Sequence, residues 1–144
     1  MIRTASILLA FSFLLISCKP SPTQVQNSWT FKGVKYTTAS CGQRVGYLVA
    51  SDASGTSTLT VGYYTQVSGD DTVVYNPNNN LNANQASIVM SINNGTTYTS
   101  SGGNGNEKVS LIVSNTGNVE IKGSNISMVN NTDSALLSFD ISQK

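Results

Sequence analysis

From Trp29 to Ile141 the apolar residues fall at every second position in short runs, and most runs end in a cluster of Gly, Asn, Ser or Asp. A period of two puts alternate side chains on opposite faces of an extended strand, whereas a helix needs a stripe of period 3.6. No stretch carries the helical stripe. Asn, Ser, Thr and Gly, which abound here, are weak helix formers. The pattern therefore predicts an all-β fold of short strands: a single antiparallel β-sandwich or small barrel with a C-terminal meander.

The runs can be placed one by one. Trp29 to Thr37 alternates aromatic and polar residues, and its phase slips across Lys32-Gly33, which marks a tight turn or a bulge. Arg44 to Ala50 has Val45, Tyr47 and Val49 in step. Thr58 to Thr65 puts Leu59, Val61 and Tyr63 on one face, and Thr72 to Tyr75 is a short fourth strand. Asn76 to Asn84, with Pro77 among many asparagines, reads as a loop. Ile88, Met90 and Ile92 alternate up to Asn94-Gly95, a hairpin signal because both central turn residues need positive φ, and Thr96 to Ser100 follows. Ser101 to Asn106 is a second Gly/Asn-rich loop. Val109, Leu111 and Val113 share a face before the turn at Asn115 to Asn118. Val119 and Ile121 then have the opposite parity to Ile126 and Met128, so one residue is extra, with Gly123 the expected bulge. After a turn at Asn130 to Asp133, the run Ala135, Leu137, Phe139, Ile141 ends the pattern.

The N-terminus follows a different logic. Arg3 supplies a positive charge, and Thr4 to Ile16 is almost wholly apolar. That run is shorter than the ~20 residues of a membrane-spanning helix. A charged start, a short apolar core and a small residue before a cut define an export signal. Leu15-Ile16-Ser17-Cys18 resembles the lipobox of bacterial lipoproteins, in which a dedicated peptidase cuts after a small residue and the cysteine thiol carries a diacylglycerol through a thioether. The resemblance implies that residues 1–17 are a lipoprotein signal peptide and that Cys18 is the lipidated first residue. Residues 18–27, with Pro20 and Pro22, read as a tether, and residues 28–144 as one β domain. The partner at this end is a lipid bilayer. Lys19 stands where an Asp would retain a lipoprotein in the inner membrane, so the expected location is the outer membrane, with either face open.

Charge narrows the partners. Eight basic and seven acidic residues oppose each other over the whole chain, and Arg3 belongs to the leader, so the remainder balances. With no basic patch, nucleic acid is not an expected partner. Once Cys18 is lipidated, Cys41 is the one cysteine left, and the simplest reading is a small buried side chain.

The chain has no histidine, which removes the commonest general base and the usual Ser or Cys triads. No Ser-x-x-Lys motif follows residue 18. Carboxylate chemistry would fall to Asp70 and Asp71, as a hydrolytic pair or as weak calcium candidates with Asn76 and Asn78. A solvated turn is the plainer reading. Exposed aromatic rings can stack on sugars, and Trp29, Tyr64 and Tyr75 are the candidate platform, with Tyr63 and Tyr98 as further rings. Gly102 to Gly105 is no phosphate cradle, since no helix follows. No cofactor is expected.

Three segments carry a wider likeness: Trp29-Thr30-Phe31-Lys32-Gly33-Val34-Lys35-Tyr36, Thr96-Thr97-Tyr98-Thr99-Ser100-Ser101-Gly102-Gly103, and Gly117-Asn118-Val119-Glu120-Ile121 continuing to Asp133-Ser134-Ala135-Leu136-Leu137-Ser138. They resemble small β-rich surface-type lipoproteins of Bacteroidota, families without established catalytic residues. The expected function is that of a membrane-anchored lipoprotein with a non-catalytic binding or scaffolding domain at the cell envelope. Its partner would be an envelope protein or a glycan, met by loops 66–71, 76–84 and 101–106. A glycan- or small-ligand-binding module is the alternative, and a carboxylate-dependent hydrolase a third.

Overall fold

The computed structural model describes residues 27–63, 71–78, 85–102 and 105–143, and among them there is no helix. Ten strands form one sheet. They are β1 (Ser28–Phe31), β2 (Val34–Arg44), β3 (Tyr47–Asp52), β4 (Thr58–Tyr63), β5 (Asp71–Asn78), β6 (Gln85–Ile92), β7 (Thr96–Ser100), β8 (Lys108–Val113), β9 (Val119–Val129) and β10 (Ser134–Gln143). The lateral order is β10-β1-β2-β3-β4-β6-β5-β8-β9, and β9 pairs again with β10, so the circuit of hydrogen bonds closes on itself. β7 fits between β6 and β9. Closing the circuit removes most exposed strand edges, which would otherwise template aggregation.

The alternation read from the sequence is what fills the interior. Leu59, Val61 and Tyr63 of β4, Ala86, Ile88 and Met90 of β6, and Leu137, Phe139 and Ile141 of β10 all point inward and are buried. Each large apolar side chain so buried contributes about 1.5–3 kcal/mol. The parity change along β9 also stands: Val119 and Ile121, then Ile126 and Met128, all face the core. The extra residue lies at Ser124-Asn125, however, where two residues of β9 oppose Ser138 alone. Asn125 takes φ 54° there, and its N–H donates to Ser138 Oγ at 3.0 Å. Gly123, the expected bulge, instead stays in register opposite Phe139.

Three further expectations change. The run Arg44 to Ala50 is not one strand. A two-residue turn, Val45-Gly46, divides it, with Arg44 paired to Tyr47 and Gly46 at φ 80°. Only glycine takes that angle at little cost. Val45, which seemed to share an apolar face with Tyr47, is fully exposed at the turn tip. Asn76, Pro77 and Asn78 are not loop but the end of β5, pairing with Gln85 to Ser87 in parallel, so the sheet is not wholly antiparallel. The β6–β7 turn centres one residue early: Asn93 and Asn94 hold the positive φ values, 50° and 59°, and Gly95 N–H donates to Ile92 C=O at 3.1 Å. Asparagine tolerates this region almost as glycine does.

A clamp ties the first described residue to the sheet. Asn27, the residue before β1, turns its side-chain amide into a substitute peptide group for β10. Its Nδ2 donates to Ser142 C=O at 2.7 Å, and its Oδ1 accepts from Ser142 N–H at 2.8 Å and from Ser142 Oγ at 3.1 Å. Among the described residues, Asn27 is the first to bond to the sheet.

Candidate functional site

Strand direction sorts the turns onto two poles. Asn27, Gln143, the Val45-Gly46 turn and the β8–β9 turn lie at one pole. The turns at Lys32-Gly33, 53–57, Asn93-Asn94 and 130–133 lie at the other. The second pole is laced together by bonds that the strand ladder does not supply. Asn94 N–H donates to Thr56 C=O at 2.8 Å and Asn93 N–H to Ser57 Oγ at 3.3 Å, joining two hairpins.

At that pole lies an open groove of about 260 Å³, lined by Phe31, Lys32, Val34, Tyr36, Ile92, Asn93, Thr96 and Tyr98. It exists because β2 overhangs the core. Val34 and Tyr36 sit opposite Phe31 and Trp29 in the ladder and share their face of the sheet. Yet Phe31 and Trp29 are buried, while Val34 is exposed and Tyr36 half-buried. Tyr36 stacks on Trp29, ring centroids 5.3 Å apart and planes 8° from parallel. Phe31 meets Tyr98 edge-to-face at 4.8 Å.

Lys32 arches beside the groove. Its ammonium donates to the Asp133 carboxylate and, at 2.7 Å, to Tyr98 Oη, and Tyr98 O–H donates to Asp133 Oδ2 at 3.0 Å. The same ammonium lies 5.0 Å from the Tyr98 ring centroid and 5.6 Å from that of Phe31, within cation–π range. Lys32 holds φ 50°, an angle that costs a lysine roughly 1–2 kcal/mol. The ion pair to Asp133, across the sheet, helps hold it there.

The hydrogen bond from Lys32 to Asp133, and then that with Tyr98, keeps the Asp133 carboxyl below its ordinary range and raises the Lys32 ammonium. Both groups stay charged at neutral pH. The trio is suited to holding charge in place rather than moving a proton. The sign follows from linkage. The lowered Asp133 contributes stability above the unfolded carboxylate value of 3.8 and loses it as pH falls through the folded value; the raised Lys32 loses its contribution only as pH climbs above 10.5. Asp133→Asn is therefore expected to cut the loss of stability on the acid side and leave a smaller pH dependence between about pH 2 and 5. Urea midpoints across that range check it, and an unchanged acid limb would contradict the pairing.

The sequence-read sites fare unevenly. Trp29 and Tyr75 are no sugar platform, because both point inward on their strands and are 1% exposed. Trp29 Nε1 has no hydrogen-bond partner among the described residues, at a cost of about 1–3 kcal/mol. Tyr63 is likewise a core residue. Tyr64 and Asp70 lie outside the described residues, as do Cys18, most of loop 66–71 and residues 79–84. Asp71 starts β5 opposite Val113, and no group of three or more metal-binding side chains occurs among the described residues. Cys41 is half-buried, and burial pushes its thiol up, away from the reactive thiolate. Lys32, Asp133 and the groove were not foreseen. The one sequence signal was a lysine in a turn position that asparagine or glycine usually fills.

This geometry defines an all-β domain with Asn27, the first described residue, at one pole and a ring-lined groove at the other. No protein-family model, curated protein or solved structure matches the chain.

Proposed function

We propose that the chain is a lipid-anchored envelope protein whose β domain binds or scaffolds a partner with the pole that carries the groove. The observation that carries this reading is the lipobox Leu15-Ile16-Ser17-Cys18, placed nine residues before Asn27. A tether from Cys18 to Asn27 spans at most about 35 Å even when fully extended. The pole holding Asn27 then faces the bilayer, and the groove faces away. A closed sheet supports this display, because turns on a rigid scaffold commonly carry binding. By the same reading the protein belongs with the small β-rich lipoproteins of Bacteroidota and sits at the outer membrane, which the absence of Asp after Cys18 supports.

Position-specific photocrosslinking in intact cells tests the display. A crosslinker at Thr132, on the groove pole, is expected to capture a defined envelope component. The same crosslinker at Val45, on the opposite pole, is expected to capture lipid or nothing. Capture of the same component equally from both positions would contradict the proposed orientation.

A further inference from the structure

We propose that the groove between β2 and the β6–β7 hairpin binds a single neutral sugar ring of an envelope glycan; this rests on the display reading for its setting, and on the groove's own chemistry for its ligand. A pyranose has an apolar C–H face and a hydroxyl edge, and the groove offers a surface for each. Val34, Tyr36 and Ile92 supply the apolar wall. Tyr36 is held flat by its stacking on the buried Trp29, so it meets a ligand as a pre-set plane. Asn93 and Thr96 stand exposed on the rim, and neither side chain hydrogen-bonds to a described residue.

Charge complementarity selects a neutral ligand. The nearest ammonium, Lys32, is already matched by Asp133, so a charged ligand would have to break that pair to gain one of its own. Size selects a single ring, since about 260 Å³ falls just below the ~300–1,000 Å³ of sites for larger ligands. A protein partner fits less well. Of the exposed large apolar residues among those described, only Val34 lines the groove; Val45 lies at the other pole, Val89 on β6 is not in the lining, and Val74 and Leu136 stand on other strands. Of the four non-glycine residues with positive φ among those described, Lys32, Asn93 and Asn94 stand here, and for Lys32 the angle is strained. Such residues cluster at ligand sites because the fold must hold them in place.

Trp29 is the chain's one tryptophan, and it lies against Tyr36, so its fluorescence reports on the groove. The purified lipidated protein in detergent would be titrated with neutral gluco-, manno-, galacto- and xylo-oligosaccharides up to about 10 mM, the weak end of single-site binding. At least one is expected to shift Trp29 emission saturably. Thr96→Val and Asn93→Gly, which keep the turn geometry and remove the polar groups, are each expected to weaken binding roughly tenfold, and Leu136→Ser is expected to leave it unchanged. A panel with no saturable shift overturns the sugar assignment, as does binding indifferent to both rim variants. A protein captured at Thr132 alongside a silent panel overturns the sugar and leaves the display standing.

Discussion

Replacing Gly123 by alanine is expected to lower the stability of the domain by about 3 kcal/mol, the upper part of the range for an overpacked core. A Cβ at this position would lie 2.5 Å from both Cε1 and Cζ of Phe139. No Cβ approaches a ring so closely, so something has to move. Phe139 is nearly buried and has no easy retreat. It pairs with Gly123 of β9 on one side and with Trp29 of β1 on the other, and Trp29 is itself buried and stacked on Tyr36. Displacing the ring would therefore disturb β9, β10, β1 and β2 together. Urea unfolding of the purified variant measures the loss. Shortening the ring side chain in the same background, as Gly123→Ala with Phe139→Leu, is expected to recover part of it, because the clash is with the ring carbons. A Gly123→Ala variant as stable as the parent would show that the close packing of Gly123 against Phe139 is wrong.

Cys18→Ala is expected to move the protein from the membrane fraction to the soluble fraction while leaving the β domain folded. Each buried methylene of an acyl chain contributes about 0.8 kcal/mol, one chain alone holds a protein only marginally, and two or three together hold it stably. On the proposed lipidation, removing the thiol would remove the site of the diacylglycerol and so the whole anchor. The described residues, from Asn27 onward, close the circuit of strands among themselves, so the domain is expected to fold without the lipid. Membrane fractionation with circular dichroism of the released protein checks both halves. Retention of Cys18→Ala on the membrane would contradict the anchor, and an unfolded soluble product would contradict the independence of the domain.

Much of the fold was legible because burial in a sheet repeats with period two. β4, β6, β8 and β10 appear in the sequence with the core residues that the structure buries, and the parity change in β9 announced its bulge. What was misread has local causes. Val45 kept the beat of its neighbours, and only Gly46 betrayed the turn that exposes it. The bulge moved from Gly123 to Asn125 because asparagine can take positive φ and a glycine was needed against Phe139. Pro77 looked like a loop residue, but at a strand end its missing N–H costs the ladder little. The candidate site was least legible. Lys32, Tyr98 and Asp133 meet only because β1, β7 and the β9–β10 turn converge at one pole, and no local spacing encodes that meeting. The aromatic count suggested ring stacking, but Trp29 and Tyr75 face inward, and Tyr36, which lines the groove, was read only as a strand residue.

If a lipid on Cys18 holds this domain at a membrane, as proposed, the modification is readable on the N-terminal peptide. The most direct measurement is the mass of the N-terminal peptide of the protein purified from its native membranes. A peptide that begins at Cys18 and carries a diacylglycerol on its sulfur is the expected result. A peptide that retains residues before Cys18, begins after it, or carries an unmodified Cys18 would contradict it.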